Sequence, residues 1–198
     1  MNTVSDDHYY LKAKYEGYRS RAAYKLIEIN EKFRIFKKGQ KVLDLGASPG
    51  GWSQVASKRI GNRGKVIAID KAYISPFKEK NIEILSKDIF DKNLGTILID
   101  NFGKIDVIIS DCAPNISGDY SRDHTTQIYL ATRALDLALK ILNEKGAFVC
   151  KLFQGSDLQD FVSQCRKNFE KTKLFKPKAS RKKSAEIYLV SLNLKNNT

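Results

Sequence analysis

The chain has 198 residues, enough for one domain with a substantial core and short for two, so one domain over 1–198 is expected; 42% hydrophobic and 29% charged residues exclude wholesale disorder. Lys and Arg number 35 against 22 Asp and Glu, and the net charge of +13 points to a polyanionic partner, nucleic acid first. Three cysteines without C-x-x-C spacing support neither a disulfide framework nor a zinc site; the polar start, Met1 to Tyr10, lacks the order of a secretory signal, and no apolar run approaches a membrane span. A cytoplasmic protein with no metal and no membrane partner is expected.

In chain order, the first 38 residues read as an N-terminal helical extension in which Lys12, Lys14, Arg19, Arg21 and Lys25 are interleaved with Tyr9, Tyr10, Tyr15, Tyr18 and Tyr24. Basic groups neutralise phosphates and aromatic rings stack on unpaired bases. Ser20 reads as the N-cap of an amphipathic helix from Arg21 to near Lys37-Lys38-Gly39. Strands near 41–46, 65–70, 82–86 and 105–111 then alternate with helices near 51–60, 91–101 and 123–143. A strand near 147–153, a helix near 157–169 and strand-like runs near 172–176 and 185–192 follow. Strands separated by helices predict a Rossmann-like, doubly wound, mostly parallel sheet, and the short basic connection before the last strand predicts an antiparallel pairing there. The last 34 residues carry ten Lys or Arg against two acids, so the basic surface is concentrated at the two ends of the chain.

The most informative stretch is Val42-Leu43-Asp44-Leu45-Gly46-Ala47-Ser48-Pro49-Gly50-Gly51-Trp52-Ser53, an apolar strand that breaks into small residues before a helix. Glycine tolerates positive φ and lets a ligand approach bare backbone, and in open α/β sheets that approach occurs at the carboxyl ends of strands. The spacing departs from G-x-G-x-x-G, so a ligand without a pyrophosphate is expected. Asp70 closes the second strand, where an acid can accept hydrogen bonds from a ribose diol or cap the next turn. Asp88, just after the third strand, suits an adenine amino group or a helix cap equally. Ile109-Ser110-Asp111-Cys112-Ala113-Pro114-Asn115 puts another acid at the same edge. Lys151 interrupts an apolar strand and Glu186 interrupts the last one; an unpaired buried ammonium is costly, so Lys151 needs a partner or a task, and an ion pair with Glu186 is the plain alternative.

Five ordered segments resemble the FtsJ/RrmJ (RlmE) family of ribosomal RNA 2′-O-ribose methyltransferases, over about Tyr18 to Val190. They are Arg19-Ser20-Arg21-Ala22-Ala23-Tyr24-Lys25-Leu26, Asp44 to Gln54, Ser110 to Asn115, Lys151-Leu152-Phe153-Gln154-Gly155, and Pro177-Lys178-Ala179-Ser180-Arg181 leading to Glu186-Ile187-Tyr188. The resemblance implies a seven-stranded class I methyltransferase sheet, S-adenosylmethionine as cofactor, a catalytic set at Lys25, Asp111, Lys151 and Glu186, and cofactor contacts at Gly50, Trp52, Asp70, Asp88 and Asp111. Lys151 is the expected proton acceptor. The substrate it implies is RNA, a uridine of large-subunit ribosomal RNA before transfer RNA, acted on by a monomer. Two other readings stand beside it. A base methyltransferase would need a cysteine nucleophile, for which Cys112 is the one candidate at this edge, or an Asn/Asp-Pro-Pro-aromatic motif, which Asp111-Cys112-Ala113-Pro114 is not. A cofactor-binding RNA chaperone would not need the complete catalytic set.

Overall fold

The computed structural model describes residues 4–196 of the chain; Met1–Thr3 of the polar start and Asn197–Thr198 of the polar tail lie outside them. The elements are α1 Val4–Tyr15, α2 Ala23–Phe33, β1 Lys41–Leu45, α3 Gly51–Ile60, β2 Lys65–Asp70, β3 Ile82–Ser86, α4 Leu94–Phe102, β4 Ile105–Ser110, α5 Tyr120–Ile141, β5 Leu142–Phe153, α6 Leu158–Asn168, β6 Phe169–Phe175 and β7 Glu186–Leu194. The seven strands form one sheet in the order β3-β2-β1-β4-β5-β7-β6. The pairs β1–β2, β2–β3, β1–β4 and β4–β5 are parallel, whereas β7 runs antiparallel to β5 and β6, as the short basic connection implies. The strand order reverses between β1 and β4, and such a switch point opens a crevice at the carboxyl ends of the strands. Among the described residues, no helix is long and apolar enough to cross a membrane.

Alternation along the strands sorts the side chains into two cores. On β5, Phe148, Cys150 and Leu152 face α4, α5 and α6, while Ala147 and Val149 face α2 and α3. On β4, Val107 and Ile109 share the α2/α3 face, as do Tyr188 and Val190 on β7. Continuing the period of two puts Asp111, Lys151 and Glu186 on that same face, at the functional edge, where α2 lies over the sheet. The period also confirms that Cys150 points away from Lys151.

Several boundaries differ from the sequence reading, among them the starts of α4 and β6 by three residues, and four others have a local reason. Helix α2 begins at Ala23, not Arg21, and Ser20 does not cap it: the N-cap is Ala22, without a side-chain hydrogen bond. Ser20 instead offers its carbonyl to the Ala23 amide at 3.2 Å, and its hydroxyl packs where a Cβ on Gly51 would stand. The helix stops at Phe33, before Lys37, because Arg34 turns left-handed at φ 53° and Asn30 takes both ends of the turn, its carbonyl accepting the Arg34 amide and its side chain the Phe36 amide. Helix α5 begins three residues early because Asp119 accepts the Ser121 and Arg122 amides as its N-cap. Strand β5 begins at Leu142 because that residue already pairs with Ile105 of β4, ahead of a register shift.

Candidate active site

The loop between β1 and α3 needs glycine at two positions, and in both the neighbour is protein. Gly46 has φ +73°, and a Cβ there would stand 2.7 Å from Cys112 Sγ, so the loop after β1 lies directly on the loop after β4. Gly50 has φ +118°, and its Cβ would meet the Phe77 ring at 2.6 Å and Arg19 Cδ at 3.0 Å. Trp52, expected at the ligand, is turned into the core: its indole donates to the Ala22 carbonyl at 2.8 Å and packs on Tyr188 with ring centroids 5.5 Å apart. Gly50 and Trp52 can therefore meet a ligand through the main chain alone.

A cavity of about 550 Å³ opens at the switch point, lined by Gly46 and Ser48 after β1, Asp70 after β2, Asp88 to Phe90 after β3, Asp111 to Asn115 after β4, and the first turns of α5. Asp70 accepts the Ser48 amide at 3.0 Å and the Ala72 amide at 2.8 Å, and Asp88 accepts the Phe90 amide at 3.0 Å. Asp70 caps the following turn, as its plainer alternative had it; Asp88 caps a turn of its own and not the next helix, whose N-cap is Asn93. Each carboxylate still has lone pairs to offer the cavity. Arg133 of α5 fixes the β3 loop by donating to the Ile89 and Asp91 carbonyls, both at 2.9 Å. Beneath the corner, Asp44 is fully buried and accepts the Ser53 hydroxyl at 2.6 Å; burial pushes its carboxyl up to about 8, helped by the charges of Asp111 and Asp70 and opposed by Ser53.

The four residues of the expected catalytic set converge beside this cavity as two ion pairs. Lys151 donates to the Asp111 carbonyl at 2.6 Å and to its Oδ1 at 3.1 Å. Lys25, from α2, holds both oxygens of Glu186, at 2.7 and 2.8 Å. The pairing is thus Lys151 with Asp111 and Lys25 with Glu186, and not the Lys151–Glu186 pair considered from sequence: across the β5–β7 ladder Lys151 stands opposite Tyr188, while Glu186 stands opposite Phe153.

Tyr188, to which sequence reasoning gave no role, ties the pairs together. It is fully buried, donates to Asp111 Oδ1 at 2.8 Å, and lies 5.8 Å from Lys25 Nζ at its ring centroid. Its position two residues after Glu186 in a strand was the available signal. Burial, then the charges of Asp111 and Glu186, holds the phenol well above its ordinary range, so it stays a donor. Burial would also raise the Asp111 carboxyl, but Lys151, Lys25 and the Tyr188 hydroxyl together hold it below the usual carboxylate range. Ser180, in the basic β6–β7 loop, donates to Glu186 Oε1 at 2.8 Å, and Arg21 donates to the Ala179 carbonyl at 2.9 Å. An anionic Asp111 thus belongs both to the cavity and to the ion-pair cluster.

Comparison with known proteins gives the arrangement relatives. The family model described as FtsJ-like methyltransferase matches residues 18–194. A Methanothermobacter thermautotrophicus protein named ribosomal RNA large subunit methyltransferase E is 45% identical over 190 residues, 96% of this chain and 90% of the relative. A Methanocaldococcus jannaschii protein of the same name is 47% identical over 93% of this chain and 77% of its own length. Among solved structures, a Plasmodium falciparum protein described as a ribosomal RNA methyltransferase superposes with a TM-score of 0.78 at 34% identity, covering 89% of this chain and 98% of that one. A Clostridium thermocellum structure at 15% identity, covering 85% of this chain and 97% of that one with a TM-score of 0.58, shares the fold.

Proposed function

The chain belongs to the FtsJ-like methyltransferase family, and from that membership we propose that it methylates the 2′-hydroxyl of a ribose in RNA, a uridine of large-subunit ribosomal RNA in the first instance, with S-adenosylmethionine as the methyl donor. The observation that carries this is the joint at Asp111, which puts a cavity of small-molecule size against two buried lysine–carboxylate pairs. The cavity volume lies within the roughly 300–1,000 Å³ of small-molecule sites. Its lining fits a nucleoside with a cationic sulfur: Asp70 and Asp88 could accept from ribose hydroxyls and a base amino group, and the negative charge of Asp111 would favour a cation in the cavity. Gly46, Asp70, Asp88 and Asp111 would hold the cofactor through these groups, with Gly50 and Trp52 contributing main chain. When bound, S-adenosylmethionine supplies a methyl group made electrophilic by its sulfonium.

The chain's own work is to align the ribose oxygen and to receive its proton. Lys151 Nζ is the acceptor on this reading: Asp111, which lines the cavity, fixes it by two hydrogen bonds. Lys25, held by both oxygens of Glu186, has the task of orienting the sugar. Lys176, Lys178, Arg181, Lys182 and Lys183, exposed on the loop that holds Glu186, supply a surface for phosphates. Burial pushes the Cys112 thiol up to about 11, which counts against a thiolate nucleophile and so against carbon methylation of a base. The three free thiols support a reducing, cytoplasmic setting, and the reading takes one copy of the chain as sufficient.

The test is incubation with labelled S-adenosylmethionine and either large-subunit ribosomal RNA or transfer RNA, followed by digestion to nucleosides. Label in 2′-O-methyluridine from ribosomal RNA is expected. Label on a base, or none, overturns the reaction; label confined to transfer RNA moves the substrate and leaves the reaction in place.

A further inference from the structure

Arg19 lies in the basic N-terminal stretch that the composition assigns to nucleic acid, yet most of its donors are already spent. Its guanidinium gives hydrogen bonds to the carbonyls of Pro49 at 3.1 Å, Ser75 at 2.6 Å and Pro76 at 2.5 Å, and one face is covered by the Phe77 ring, 3.8 Å from the guanidinium carbon to the ring centroid. A guanidinium has five N–H groups in a fixed plane; three bonds to carbonyls and a stacked ring leave little for a phosphate. The backbone is committed too, since the Arg19 amide donates to Gln54 Oε1 of α3 at 2.9 Å. Pro49 belongs to the loop after β1, and Ser75 to Phe77 follow β2 beyond Asp70. Arg19 thus staples together the two loops that flank one side of the cavity, and the left-handed Gly50 is where they meet, with no room for a side chain between Phe77 and Arg19.

We infer that Arg19 is a positioning residue for the cofactor loop, setting affinity for S-adenosylmethionine and not for RNA; this rests on the reading of the cavity as the cofactor site. The same short segment then serves three parts of the site. Arg19 holds the glycine corner, Arg21 holds the Ala179 carbonyl of the basic loop, and Lys25 holds Glu186.

Lysine keeps the charge but has neither the fork nor the plane, so Arg19→Lys separates the two roles. The experiment measures the calorimetric Kd for S-adenosylmethionine without RNA, and the filter-binding Kd for a ribosomal RNA fragment without cofactor over a salt series, in the full chain and in Arg19→Ala, Arg19→Lys and Phe77→Leu. Expected is a roughly 10- to 50-fold weaker Kd for the cofactor in Arg19→Ala and Arg19→Lys alike. A rise of about 3- to 10-fold is expected in Phe77→Leu, with RNA affinity and its salt slope unchanged throughout. Cofactor affinity within about twofold of the parent in both arginine variants overturns the inference. So does a loss of RNA affinity in Arg19→Ala, with the salt slope reduced by about one, that Arg19→Lys restores, because that is a phosphate contact. Should Arg19→Ala fail to fold, Phe77→Leu decides, as it leaves the charge in place and removes the surface on which it stacks. Binding is read without turnover, so a parent chain that binds the cofactor but transfers no methyl group overturns the activity and not the role of Arg19.

Discussion

The cavity and the ion-pair cluster share Asp111 but are built by opposite means. Around the cavity, each acid accepts an amide two residues on, Asp70 that of Ala72 and Asp88 that of Phe90, and Asp70 adds one longer reach to the Ser48 amide. In the cluster the lysine–carboxylate bonds are long-range, Lys25 to Glu186 across 161 positions and Lys151 to Asp111 across 40. Local turns make a binding site that survives the loss of one side chain, whereas charges assembled from α2, β4, β5 and β7 depend on every member. Removing one partner of a buried pair leaves an uncompensated charge, at a cost of about 3–5 kcal/mol.

The largest expected effect follows from that contrast. Lys151→Ala should lower kcat by about a thousandfold or more while calorimetry still shows cofactor binding. Loss of both together would make Lys151 a structural residue and erase the distinction between the two regions. On the cavity side, Asp70→Asn should weaken the cofactor Kd by roughly 10- to 100-fold, with kcat at saturating cofactor within a few-fold of the parent; a fall in kcat alone would move Asp70 into the chemistry.

Most of the sheet was legible in the sequence because buried parallel strands are continuous apolar runs between breaker residues. Val107-Ile108-Ile109 and Ala147-Phe148-Val149 are plain examples. The acids at the functional edge were legible for the same reason, as polar residues ending apolar strands. Which lysine meets which carboxylate was not legible, because that depends on the β5–β7 register, which no local pattern contains. At the glycine corner the need for positive φ was legible, but not that Gly50 also makes room for Phe77 and Arg19. Helix ends slipped wherever a side chain, such as Asp119 or Asn30, offered the backbone an alternative partner.

A smaller effect sharpens the comparison through stability. Asp44 keeps its proton to about pH 8 in the folded chain and loses it near the ordinary 3.8 when unfolded. The folded state therefore holds the extra proton between those values, and stability declines as pH rises through that window, by at most about 1.4 kcal/mol per pH unit. Asp44→Asn should flatten this slope in denaturant titrations at pH 5, 7 and 8.5; an identical slope in both proteins would show that Asp44 does not carry it. The smallest effect is expected at an exposed pair of the same chemical type as the cluster. Lys65 and Glu83 meet at 2.9 Å with nearly half of each side chain in solvent. Lys65→Gln should change unfolding free energy by less than about 0.5 kcal/mol and leave turnover untouched.

The reversed direction of β7 decides more than the shape of the sheet. A strand entering head-first from the opposite rim would carry Glu186 to the far side of the molecule, some 25 Å away at about 3.3 Å per residue. Because it threads backwards between β5 and β6, its first residue arrives at the rim where the other strands finish. Synthesis has already added the glycine corner, Asp111 and Lys151 before it adds residue 186. Every group that lines the cavity is therefore in the chain before Lys25 can meet its counter-ion.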